Sequence, residues 1–250
     1  MGNIWTITKR ELRGYFASPV AFVFIVIFLL LAGFFTFMIA QFFKVGQATL
    51  SQTSYSPMFF GWHPWLYLFL VPAVGMRMWS EERRLGTIEL LLTMPITPWQ
   101  AILGKFLASW AVVAIALALT FPVWITVNYL GNPDNGVIVG GYIGSLLMAG
   151  AYLSITAMTS AMTRNQVVAF IVAVVISLFL ILAGFPPVTD MLVTWAQPWI
   201  VDLIAAFSVM THFESIQKGV LDSRDILYFV SVMAFCLFTT STIIRAHRAG

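Results

Sequence analysis

The chain has 250 residues, 60% of them hydrophobic and only 9% charged, with a formal charge of +3. A soluble domain carries about 25% charged residues, so water is excluded as the main solvent. The basic residues are scattered at the ends of apolar runs and form no long patch, which argues against a nucleic-acid partner, and the single cysteine, Cys236, excludes a disulfide framework or a cysteine-based metal site within one chain.

Residues 1–18 predict a helix lying on a membrane surface. At about 100° per residue, Ile4, Trp5, Thr8, Leu12, Tyr15 and Phe16 share one face, while Lys9, Arg10 and Arg13 point elsewhere. Ser18 then stands where a helix cap belongs, with Pro19 at the first helical position. The apolar run that follows exceeds the roughly 7–15 residues of a signal-peptide core and lacks a small-residue exit, so it is expected to stay in the protein.

Six membrane spans are expected, over residues 19–40, 58–78, 101–130, 137–162, 167–185 and 226–244. Crossing a hydrocarbon core of about 30 Å takes roughly 20 helical residues. Pro72 and Pro122 predict kinks in the second and third. Thr97-Pro98-Trp99-Gln100 and Thr163-Arg164-Asn165-Gln166 both read as capping boxes, and Gly131-Asn132-Pro133-Asp134 reads as a tight turn. Gly140 and Gly144 give a small-xxx-small face that either admits a close helix or is a chance match. Trp62, Trp65, Trp79 and Trp99 are expected to anchor at the interface. The segment Gly184–Arg224 is too apolar for a solvated loop and predicts short helices on or in the outer leaflet. Counting 199–213 as a span instead would put the C-terminus outside.

With a cytoplasmic N-terminus, Lys9, Arg10, Arg13, Arg77, Arg83, Arg84, Lys105, Arg164, Arg245 and Arg248 fall inside, and only Lys44, Lys218 and Arg224 fall outside. Excess lysine and arginine marks the cytoplasmic side, so both termini are expected there, in a bacterial inner membrane. The interiors of spans one, three, four, five and six are expected to hold no Asp, Glu, Lys, Arg or His. A gradient-driven transporter needs such groups and is disfavoured. His63, His212 and His247 lie far apart, near expected boundaries, and read as interfacial polar residues rather than metal ligands. No catalytic or metal constellation is present, so the chain is not read as an enzyme.

Polar residues concentrate in 79–97. Ser80 can cap a helix whose first turn carries Glu81 and Glu82 at the positive dipole end, and Leu85, Ile88 and Leu92 would form its apolar stripe. Two readings stand: a surface helix joining two spans, or a docking element that a soluble motor grips to move both spans.

The run SEERRLGTIELLLTMPITPWQAILGKF, Ser80 to Phe106, resembles the loop after the second span in type-2 ABC exporter permeases. TKRELRGYFASP, Thr8 to Pro19, resembles their amphipathic N-terminal helix, and HFESIQKGVLDSRDILYF, His212 to Phe229, is similar to the stretch before the last span in the gliding-motility subgroup of GldF type. The resemblance implies an all-α, six-span permease subunit that pairs with a second copy or a paralogous permease. Two separate ABC ATPase subunits would bind ATP and magnesium, since no P-loop run exists in this chain. It implies export of an unidentified substrate; the apolar spans suit a lipid-linked or amphiphilic cargo and equally suit ordinary lipid contact. It makes 79–97 the coupling helix, with Glu81, Glu82, Arg83 and Glu89 as polar contacts to the ATPase, and Gly86 and Thr87 as shaping residues. The alternative is a non-transporting membrane scaffold that anchors a cell-surface or cytoplasmic machine.

Overall fold

The computed structural model describes residues 2–39, 59–87, 97–130, 133–194 and 196–246. Among these residues there are helices and turns and no strand. The elements are α1 (Gly2–Ala17), α2 (Pro19–Phe34, continued by a π-helical turn Phe35–Ile39), α3 (His63–Gly75), α4 (Arg77–Leu85), α5 (Pro98–Ala118), α6 (Phe121–Leu130), α7 (Asn135–Met162), α8 (Gln166–Leu182), α9 (Pro186–Val193), α10 (Pro198–Ala206), α11 (Val209–Gln217) and α12 (Ser223–Ala246). Four stretches are long and apolar enough to cross a membrane: Pro19–Met38, Pro98–Tyr129, Asn135–Met162 and Ser223–Ala246. Two pairs reach that length only together, α8 with α9 across a 61° bend, and α10 from Trp199 with α11 across a 69° bend. The protein is a polytopic, all-helical membrane protein.

Proline and capping chemistry explains most of the boundaries. Pro122 has no N–H to donate to the carbonyl of Ala118, and α5 ends at that residue. The break is stitched by Thr120, whose Oγ1 lies 2.6 Å from the Leu117 carbonyl and 2.7 Å from the Tyr142 hydroxyl. Pro72 lies inside α3, which stops at Met76 before the chain resumes as α4. The capping box at Thr97–Gln100 forms in both directions, with Pro98 at the first helical position.

Three caps differ from expectation. Asn165, not Thr163, caps α8, its Oδ1 accepting from the Val167 amide, because an Asx side chain reaches that amide two residues on. Ser18 occupies a cap position, yet its hydroxyl turns back to the Tyr15 carbonyl. Ser80 is no cap at all: α4 has already begun at Arg77, and Ser80 donates to Met76 of the preceding turn, so Glu81 and Glu82 lie in the second turn.

Helix α7 is the axis of the molecule, packing against α3, α4, α5, α8, α11 and α12. Its residues 148–157 are buried without a break. Gly144 faces α11 so closely that a Cβ there would lie 2.5 Å from Ile216 Cγ2, so the small-residue face does admit a helix.

Contacts sort the helix ends into two groups. At one end Tyr15 meets Val74 and Ser109, Arg83 meets Ala161, and Trp99 meets Phe238. At the other, His63 meets Ser145, Trp65 meets Phe185, and α11 meets Gly144. The first end carries Lys9, Arg10, Arg13, Arg77, Arg83, Arg84, Lys105, Arg164 and Arg245, and the second carries Lys218 and Arg224.

Two aromatic expectations fail for the same reason: a helix bundle this well packed buries side chains near its ends. Trp79 is fully buried rather than interfacial. His63 is fully buried among Phe28, Phe59, Phe60 and Tyr67, with Nδ1 2.7 Å from Ser145 Oγ. His212 does sit near the second end, bridging Asp225 (2.7 Å) and the Ala206 carbonyl (3.1 Å). His247, Arg248, Lys44, the turn residues Gly131 and Asn132, and the stripe residues Ile88 and Leu92 lie outside the described residues.

Candidate functional site

The site lies where α1, α4 and α5 converge. Lys105, in the second turn of α5, is only 7% exposed and extends between two acids: Nζ is 2.9 Å from Glu82 Oε1 on α4 and 3.4 Å from Glu11 Oε2 on α1. Trp79 contributes its ring face, with the ammonium 5.4 Å from the centroid. A buried ammonium is costly unless paired, so Lys105 holds both acids to α5 by the cost of leaving it alone. Lys105 lies one turn into the expected third span, at the end of the bundle that carries most of the basic residues, and residues 106–130 hold no ionisable Asp, Glu, Lys, Arg or His.

Burial works against charge on Glu11, but Lys105 and then Arg10 outweigh it and hold the carboxyl below its ordinary value of 4.5. A carboxyl depressed on folding contributes stability that is fully present above the unfolded value and is lost as pH falls through the folded one. The wild-type protein should therefore lose its melting-temperature advantage over Glu11→Gln when a detergent-solubilised series is taken below about pH 4.5, with the gap constant from pH 6 to 8. A gap that does not shrink as pH falls below that value would contradict the pairing.

Neighbouring bonds fix the same junction. The Tyr15 hydroxyl lies 2.8 Å from Ser109 Oγ and donates to the Val74 carbonyl at 3.2 Å, and burial pushes its pKa up to about 12, so it stays neutral. α1 can lie this close to α5 because Gly104 has no side chain: a Cβ there would sit 2.6 Å from Ile7 Cγ2. Ile7, which is not part of the expected apolar face, packs over Gly104 and is buried, as is Thr8 of that face, while Trp5 of the face is 69% exposed. Gly104→Val should lift α1 from the bundle and lower stability by about 1–3 kcal/mol. Proteolysis of α1 at its exposed Lys9, Arg10 and Arg13 would report the release, and an unchanged digestion rate would refute it.

The α3–α4 break is held from α7. Ser160 Oγ accepts from the backbone amides of Trp79 and Ser80, each at 3.0 Å, and donates to the Met76 carbonyl at 2.8 Å. One hydroxyl thereby bonds three backbone groups at the interruption, sharing the Met76 carbonyl with the Ser80 hydroxyl. Arg83 adds a donation to the Ala161 carbonyl on the same helix. At its far end α4 stops at Gly86, whose φ of +72° is left-handed, and the amides of Gly86 and Thr87 both bond the Glu82 carbonyl. The 79–97 stretch is thus not one continuous helix: it belongs to α4 up to Leu85 and is interrupted at Gly86.

Of the residues singled out from sequence, Glu81, Glu82 and Arg83 lie on α4, Gly86 and Thr87 end it, and Glu89 lies outside the described residues. Lys9, Arg10 and Arg13 are on the exposed face of α1. Glu81 and Arg84 are 3.9 Å apart and exposed, a pair of little consequence for stability. Sequence reasoning missed Glu11, Lys105, Tyr15, Ser109 and Ser160. The available signal was Lys105, a lone cation in an apolar helix that calls for a partner. A cleft of about 390 Å³ opens over the junction, lined by Glu11, Tyr15, Arg77, Glu81, Glu82, Lys105 and Ser109 among others.

Residues 5–198, which contain this whole junction, match the family described as ABC-2 family transporter protein. The chain belongs to that family. ABC-2 relatives include the inner membrane transport permease YhhJ of Escherichia coli strain K12 and the protein of the same name in Shigella flexneri. Each is 30% identical over 149 residues, 56% of this chain and 36% of its own length. The chain spans about a third of the length of these curated relatives. The segment His212–Phe229, which carries the GldF-type resemblance, lies beyond the ABC-2 match.

Proposed function

We propose that this ABC-2 family member is the membrane-spanning permease subunit of an ATP-driven exporter, and that α4 is where a separate ATPase acts on it. The observation that carries this reading is Lys105, which ties Glu82 of α4 and Glu11 of α1 to the start of α5. A push on α4 would reach α3 through the Met76 break, α5 through Lys105, α7 through Ser160, and α1 through Glu11. The concentration of Lys and Arg at this end of the bundle supports a cytoplasmic placement with both termini inside. The family supports a bacterial inner-membrane location and association with ATPase subunits and a permease partner.

In this reading two ATPase subunits, holding ATP and magnesium, serve a dimer of six-span subunits, either two copies or a pair of paralogues. The GldF-type label rests on His212–Phe229, and the substrate class is lipid-linked or amphiphilic. The polar contact falls to Arg84 on the exposed side of α4, because Glu82 is engaged inward with Lys105, Arg83 with the Ala161 carbonyl, and Glu81 lines the cleft. The test is the full chain co-purified with its ATPase and reconstituted in vesicles. Arg84→Glu should leave the complex assembled and reduce ATP hydrolysis several-fold. Undiminished hydrolysis in an intact complex would refute α4 as the contact.

A further inference from the structure

Two cavities meet at Arg77. One is the charged cleft over the Lys105 junction. The other is an apolar groove of about 260 Å³ between α2 and α3, walled by Val20, Val23, Ile27, Leu70 and Val74 among others, and the two share Val20 and Arg77. Val23 and Ile27 are 53% and 40% exposed, so the groove opens sideways on the surface of a helix long and apolar enough to cross a membrane. The joined shape is an apolar trough ending in a polar chamber.

We propose that this composite cleft binds one membrane phospholipid with an ethanolamine headgroup. An acyl chain lies in the α2–α3 groove, the phosphate rests on Arg77, and the ammonium meets the carboxylate of Glu81. The proposal depends on the first end of the bundle lying at a membrane surface, as the proposed function has it.

The charge pattern selects the headgroup. The chamber holds three carboxylates, Glu11, Glu81 and Glu82, against two cations, Arg77 and Lys105. Lys105 is committed to Glu11 and to Glu82 Oε1, and Glu82 Oε2, which has no donor among the described residues, is buried. Glu81 meets only Arg84, at 3.9 Å, among the described residues. Arg77 at the mouth makes no ion pair among the described residues and is exposed. An uncommitted guanidinium suits a phosphate. Carboxylate oxygens short of donors suit a primary ammonium, which brings three N–H groups. A choline headgroup has no N–H donor, and a glycerol headgroup has no positive charge, so neither completes the match.

The full-length protein would be reconstituted in vesicles of equal parts phosphatidylethanolamine, phosphatidylcholine and phosphatidylglycerol, extracted in mild detergent, and weighed by native mass spectrometry with its retained lipid. The expected result is one phosphatidylethanolamine per chain, favoured about tenfold over the other two, as a charged hydrogen-bonded contact supplies. Arg77→Ala should remove the preference, and Val23→Trp should fill the groove and remove the lipid. Phe179→Trp, on the exposed face of α8, should change neither. Equal retention of all three headgroups, a preference for phosphatidylglycerol, or retention indifferent to Arg77→Ala overturns the proposal. A second copy seated in the groove would instead make Val23→Trp alter the oligomeric mass with lipid unaffected, and equally overturns it. Retention is read without ATPase or nucleotide, so its failure leaves the ATP-coupling reading intact, and failure of the hydrolysis test leaves this one intact.

Discussion

Lys105→Met is expected to lower stability by roughly 3 kcal/mol and to cut transmission from α4 to α5 and α1. Methionine keeps the apolar stem that lies over Trp79 but removes the charge, leaving Glu11 and Glu82 close together with no cation between them. Removing one partner of a buried pair costs about 3–5 kcal/mol, and the lower figure applies because the two acids retain 23% and 21% exposure. Thermal unfolding in detergent measures the loss. The triple variant Lys105→Met, Glu11→Gln, Glu82→Gln separates stability from function: most of the stability should return, since no unpaired charge remains, while ATP-driven transport stays lost. Recovery of transport in the triple variant would show that the junction is only structural.

Ser160→Ala is expected to cost about 2–3 kcal/mol, far more than most serine truncations. Its hydroxyl is the shared partner of the Trp79 and Ser80 amides and the Met76 carbonyl, and alanine leaves all three without it. Ser154→Ala on the same helix is the control. That hydroxyl donates to the Ala151 carbonyl of its own helix at 2.7 Å, a group already bonded by the helix, so the change should cost no more than about 1 kcal/mol. Hydrogen exchange at α4 should rise in Ser160→Ala and not in Ser154→Ala. Equal exchange in the two would mean that the α3–α4 break is held by something other than the Ser160 hydroxyl.

How far the sequence speaks depends on the range of the interaction concerned. The membrane-spanning character of α2, α5, α7 and α12 follows from local composition, because twenty apolar residues leave few alternatives. The Thr97 box and the Pro122 break are equally local, set by atoms within four residues of one another. The helix that starts at Arg77 rather than Ser80 was not legible. Its first turn is completed by Ser160, some eighty positions away, and no periodicity announces such a partner. Glu11 and Lys105 illustrate the same limit: they are 94 residues apart, and each reads alone as an ordinary charge near a membrane face. Gly86 was legible as a shaping residue, but the left-handed turn that divides 79–97 was hidden by a leucine pattern suggesting a continuous helix.

The most direct measurement is the sidedness of α4. Native Cys236 is buried and would be replaced by alanine, and Arg84, 60% exposed at its side chain, would be changed to cysteine as the only labelling site. A membrane-impermeant thiol reagent should fail to label this position in intact cells and label it fully once the membranes are opened. Labelling in intact cells would place α4 and the Lys105 junction on the outer face, where no cytoplasmic ATPase could act on them.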